Sequence, residues 1–140
     1  MYSDTVTLFC KRDDIWYPYI LHGVTLHKDK SSSMAKLGPE NADTVKLHVR
    51  YAKEQDRISI NDYTYVNPLE WEKSEPENCL RFKEGTDFFT EGEYTTEPIP
   101  DDTYRDGLYD HLRKTRDNVF MITTADGPFK LIPHFEIGGK

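Results

Sequence analysis

Hydrophobic and polar residues alternate along most of this chain, with a period of two residues. In 4–12, Val6, Leu8 and Cys10 alternate with Thr5, Thr7 and Phe9, which predicts a strand, and Asp13-Asp14 supplies the turn after it. A second segment, 15–27, is dense in aromatic and branched residues. Pro18 marks an edge or a bulge there, because proline has no N–H to give a ladder, and Gly23 marks a bend. A third, 44–51, places Val45, Leu47, Val49 and Tyr51 on one face. Residues 57–60 and 63–66 form a hairpin around Asn61-Asp62, both of which tolerate positive φ. Residues 69–78 read as a loop with room for one helical turn after Pro68, and 79–82 as a short strand. The only helical periodicity is Tyr104, Leu108, Leu112, which with Asp101 or Asp102 as N-cap predicts a helix near 102–115. The closing hairpin pairs 118–124 with 129–137, its turn placed at Ala125-Asp126-Gly127.

These elements predict a mainly β (α+β) chain: a small antiparallel β-barrel or curled sheet, with the helix plugging or covering one opening. No linker or internal repeat divides residues 1–140, so a single domain is expected. The exception to the pattern is a loop at 28–42, with three consecutive serines and a Gly-Pro pair. Two to five residues would suffice to turn the chain, and a loop this long is more often functional or disordered than idle. Ser31, Ser32, Ser33, Met34, Leu37 and Pro39 are therefore assigned to an assembly loop, able to order on a partner or to add a strand to a neighbour.

Composition changes this picture little. Only 36% of residues are hydrophobic, but 13% are aromatic, and the large rings supply a core. Cys10 and Cys79 form neither a disulfide framework nor a zinc site and are expected as reduced thiols. The first residues predict no signal peptide, and nothing resembles a membrane-spanning run. The net charge of −7 is uneven. Residues 69–106 hold twelve acids against four bases, a balance of −8, leaving thirteen of the 25 acids and fourteen of the 18 bases elsewhere, +1. Glu70, Glu72, Glu91, Glu93 and Asp101 represent the acidic surface expected from this region. No Lys/Arg cluster is present to neutralise phosphates, so specific nucleic-acid binding is not expected; an acidic wall suits passing DNA that must not stick.

Candidate chemistry is sparse. His22, His27, His48 and His134 fall on predicted strands, so three could converge, but no metal-ligand spacing accompanies them and partly exposed strand histidines are the expectation; His111 is solvated on the helix. Neither cysteine has a nucleophile's setting, and the acidic run reads as a solvated face rather than a catalytic pair. Trp16 and Trp71 could anchor interfaces, with core packing favoured for both. No catalytic, metal or cofactor-binding residue is assigned, and a non-enzymatic protein working through its surfaces is expected.

The opening Met1-Tyr2-Ser3-Asp4-Thr5-Val6-Thr7-Leu8-Phe9, Trp16 and His22-Gly23-Val24 resemble small structural proteins of bacteriophage and Firmicute-type prophage. So do Leu47 to Tyr51, Asp87-Phe88-Phe89, Tyr109, Asp117 to Phe120, and Ile132 to Ile137, over nearly the full chain. The resemblance is to head–tail modules: head-closure or head–tail adaptor proteins, and minor capsid proteins. It implies a virion component, held in the host cytoplasm before assembly. It further implies a homo-oligomeric ring beneath the portal, contacting portal or adaptor and tail proteins and lining a DNA channel, with no membrane partner. The loop at 28–42 occupies the place of the long loop in such barrels, whereas 69–115 exceeds the shortest adaptors. A minor capsid or tail-completion protein is the alternative within the class. A small β-barrel ligand-binding protein or enzyme, using the histidine-bearing strands, is the alternative outside it.

Overall fold

The computed structural model describes residues 3–28 and 44–140. β1 (Asp4–Arg12) and β2 (Ile15–Lys28) form a long hairpin turned by Asp13 and Asp14, both at positive φ. β2 pairs with β1 up to Val24 and then, from Thr25 to Lys28, with β3 (Val45–Arg50). The change of partner comes at Gly23, whose φ of 70° accompanies a slip in the β1–β2 register, so the predicted bend is a bulge. Pro18 lies where β2 is laddered to β1 alone, as its missing N–H requires.

A small antiparallel hairpin extension follows, of β4 (Ala52–Glu54), β5 (Arg57–Ile60) and β6 (Tyr63–Tyr65), with Asn61 at positive φ in the predicted turn. A single helical turn, α1 (Pro68–Trp71), leads to β7 (Cys79–Leu80), which joins β6 in parallel. The chain continues through β8 (Phe88–Glu91), β9 (Ile99–Pro100), a 3-10 turn at Asp101–Thr103, and α2 (Leu108–Thr115). It ends with β10 (Val119–Phe129) and β11 (His134–Gly139).

Six strands close into a barrel in the order β1-β8-β10-β11-β3-β2, with β2 returning to β1 and every pairing antiparallel. Closure removes the edges that an open sheet would expose. The expected small β-barrel is the fold. Inside it, Val6, Leu8, Tyr19, Leu21, Leu47, Val49, Phe89, Ile122, Phe135 and Ile137 pack into one core. Ile60, Trp71 and Leu80 of the small sheet and α1 belong to the same core, so that sheet extends the barrel's interior instead of building its own.

Two sequence expectations are corrected. Asp126-Gly127 is no turn: β10 runs through it, and the chain reverses at 130–133. Asp126 pairs with Glu136 and Phe129 with His134, so β10 spends one extra residue in a bulge. Gly127 is required there, because a Cβ would stand 2.9 Å from the Phe135 ring on a backbone with φ of 126°. The helix is also shorter than 102–115 and covers no opening. Gly107, at φ 88°, separates Tyr104 from Leu108, and α2 lies on the barrel's outer wall against Phe9, Trp16, Phe88 and Val119. Phe9 and Phe88 stack at 4.6 Å there, with Trp16 and Tyr109 edge-on to Phe88.

Asp101 holds this wall together. It accepts hydrogen bonds from Trp16 Nε1 at 2.8 Å, the Leu108 N–H at 2.9 Å and Lys11 Nζ at 3.4 Å. The predicted cap thus acts across six intervening residues. Although partial burial opposes it, these bonds hold the Asp101 carboxyl below its ordinary value. Its stabilising effect is therefore present above the ordinary aspartate range and lost as pH falls through the lowered value. Asp101→Ala should cost about 1–3 kcal/mol by urea denaturation at neutral pH, because the Trp16 N–H loses its acceptor. The gap to wild type should narrow in acid.

Candidate functional site

The described residues bring three of the four strand histidines together on the outside of the barrel. β11 lies beside β3, and β3 beside β2, so Glu136 pairs with His48, His48 with Thr25, and Lys46 with His27. His27 and His48 meet edge to face at 5.3 Å; His48 stacks on His134 at 5.8 Å, and His134 on Phe129 at 4.9 Å. A column of four rings thus crosses the wall from the β10–β11 tip to the end of β2. His22 stands apart, bonded to Thr5, and His111 stacks on Tyr104 at 3.8 Å.

His134 is positioned by two acceptors. Its Nδ1 donates to the Ile132 carbonyl at 2.6 Å, and its Nε2 faces Glu136 Oε2 at 3.0 Å. A neutral imidazole has one N–H, so satisfying both acceptors calls for the imidazolium. The Glu136 hydrogen bond accordingly raises the His134 pKa, and the same bond lowers that of Glu136. His48 is shifted the other way, chiefly by desolvation, with the neighbouring histidines and Lys46 adding to it against Glu136. Among the described residues, no three His, Cys, Asp or Glu side chains are placed to hold a metal ion.

At the end of the column the hairpin tip exposes apolar side chains. Leu131 is 88% exposed, Ile132 64% and Phe129 40%. Ile132 has φ of 50°, a conformation in which a β-branched residue is a clear outlier. Tyr51 braces the tip, its hydroxyl donating to Phe129 O at 2.8 Å and its N–H to Pro133 O at 3.2 Å. Leu69, 84% exposed, borders a separate groove of about 450 Å³ with Tyr65, Phe82, Gly127 and Phe135.

The residues assigned from the sequence fall differently. Ser31, Ser32, Ser33, Met34, Leu37 and Pro39 lie outside the described residues. The five acids of the expected surface are spread over separate elements, and three are engaged internally. Glu72 binds Arg81 at 2.7 Å, Glu91 binds Lys28 at 2.8 Å and Asn118, and Asp101 caps α2. Glu70 and Glu93 are exposed. A more compact acidic group surrounds a cleft of about 650 Å³, where Asp13 and Asp14 meet Asp101, Asp102 and Asp106. Trp16 and Trp71 are both core residues. The hairpin tip was missed because the Asp-Gly signal drew the turn five residues too early. Pro133, which cannot extend a ladder, was the available clue.

Fold and site together define a small closed β-barrel, its interior filled by side chains and its distinctive chemistry on the outer walls. The chain belongs to a family of unknown function (DUF6751), whose model matches residues 1–140. No curated protein and no solved structure matches it. No helix among the described residues is long and apolar enough to cross a membrane.

Proposed function

We propose that this protein is a non-enzymatic structural component of a bacteriophage or prophage particle, acting in head–tail connection by oligomerisation and docking. The observation that carries the docking part is the hairpin tip. Of the four large hydrophobic residues exposed among the described residues, three (Phe129, Leu131 and Ile132) occupy one braced turn. A monomer gains nothing from holding apolar groups in water on a strained backbone; a partner surface that covers them does. The filled barrel supports the same reading, because its described strands converge on packed side chains. The assignment to a phage particle rests on the sequence resemblance, and a minor capsid or tail-completion protein is its nearest variant.

The test is to delete the coding sequence from its parent element and image the particles. Separate filled heads and tails, rejoined on complementation, are expected, together with detection of the chain in purified wild-type particles by mass spectrometry. Normal particles that lack the protein would overturn the reading.

A further inference from the structure

The barrel carries different charged groups at two separate places on its outer surface. One wall, β1-β8-β10, is covered by α2, and beside α2 lies the aspartate-lined cleft. The other, β11-β3-β2, carries the histidine column. We propose that the histidine wall binds the aspartate cleft of a second copy of this chain, in a head-to-tail contact that strengthens as the histidines take up protons. This names the contact for the oligomerisation proposed above and rests on that reading.

The charges on each wall support the pairing. Around the histidines stand Lys46 and Arg50 from β3, Lys130 from the tip, Glu136 from β11 and Asp126 from β10, which is paired in register with Glu136. Among the described residues, three cations thus face two carboxylates around the column. Protonation of His48 adds to the positive charge that Glu136 favours on His134. At the cleft, Asp13, Asp14, Asp101, Asp102 and Asp106 face Lys11, Arg105 and Lys114. Lys11 reaches Asp14 at 3.9 Å and Asp101 at 3.4 Å, and Lys114 holds Asp106 at 2.7 Å. Asp13 and Asp102 enter no ion pair among the described residues, so an incoming cation finds carboxylates there to meet.

Because the two patches are different surfaces, the contact is heterologous. Its repetition generates a ring if the rotation closes and a filament if it does not. Protonation provides the gate. His134 is poised to hold its proton by Glu136, whereas desolvation disfavours charge on His48. A carboxylate arriving from a neighbour opposes the desolvation of His48 and favours its charged form, so association takes up a proton there.

Sedimentation velocity of the full chain, at constant low ionic strength, reads this directly. The association constant should rise by up to about tenfold per pH unit for each linked proton as pH falls from about 8 to about 6, and fall with added salt. His27→Asn with His48→Asn should flatten the pH dependence, as should Asp13→Asn with Asp102→Asn, whose asparagine tolerates the positive φ at residue 13. His22→Asn removes a histidine that stands apart from both patches and should behave as wild type, which separates the contact from general loss of net charge. Equal loss in that control overturns the proposal, as does absence of association at every pH. Association that survives the aspartate changes but not the histidine changes overturns the head-to-tail pairing. A chain that stays monomeric here yet is found in particles overturns this contact alone. A chain that associates as described but is absent from particles overturns the phage reading alone.

Discussion

Replacing Asp87 by alanine should destabilise the fold by about 3–5 kcal/mol, measured by urea denaturation at neutral pH, the usual consequence of stranding one member of a buried ion pair. Asp87 is fully buried and Arg81 is 1% exposed. The guanidinium grips the carboxylate with two nearly parallel bonds, Nε to Oδ2 at 3.1 Å and Nη2 to Oδ1 at 3.2 Å. Its remaining donors reach Glu72 at 2.7 Å and the Lys11 carbonyl at 3.0 Å, while the Lys83 N–H adds a third bond to Asp87. Arg81 also lies over the Trp71 ring at 4.2 Å, with Arg12 over the same ring at 4.3 Å. Arg12 donates to the Trp71 carbonyl as well. The network fastens the small sheet and α1 to β1 of the barrel, so its loss should loosen both.

This pair has a pH signature of its own. Burial pushes the Asp87 carboxyl up to about 6, against the opposing pull of Arg81. A carboxyl whose folded value lies above its ordinary 3.8 binds its proton more tightly in the folded state. Its stabilising effect is fully present below 3.8 and is lost as pH rises through 6, a change of about 3 kcal/mol across that window. Asp87→Asn cannot titrate. The stability of wild type relative to Asp87→Asn should therefore fall between about pH 4 and pH 7. A difference that stays flat, or rises, would show that Arg81 outweighs burial.

How far the sequence disclosed this molecule depends on the range of each interaction. The β1–β2 hairpin, the bulge at Gly23 and the Asn61-Asp62 turn were legible, because local alternation and backbone preference decide them. Leu108 and Leu112 likewise announced the buried face of α2. The competing turn signals at 125–133 were not resolvable locally. Asp126-Gly127 is a strong hairpin motif, but the Phe135 ring packs against Gly127 across the β10–β11 ladder, in a register that β11 also shares with β3. Arg81 and Asp87 sat inside an acidic run that reads as solvated, and nothing nearby in sequence tells that both are buried. The convergence of His27, His48 and His134 was anticipated as possible from strand placement. Their register, and the acceptors that set the charge of His134, came only with the β3–β11 pairing.

Ile132→Asn should separate the cost of the hairpin tip from its use. In the native turn the branched side chain sits at φ 50°, a conformation that asparagine adopts far more readily. Relieving it should raise stability by about 1 kcal/mol in urea denaturation, since little packing is lost from a residue so exposed. Adding Leu131→Asp should leave the monomer folded, because that side chain is 88% exposed. If the tip is a docking anchor, the same double variant should lose incorporation into particles or tail attachment by at least tenfold, roughly the effect of removing a central apolar contact. A protein that is more stable but no longer docks would mean that the strained turn is maintained for its partner. Unchanged incorporation would remove the tip from the interface, and lost stability would mean that Ile132 packs in the monomer and its conformation is structural.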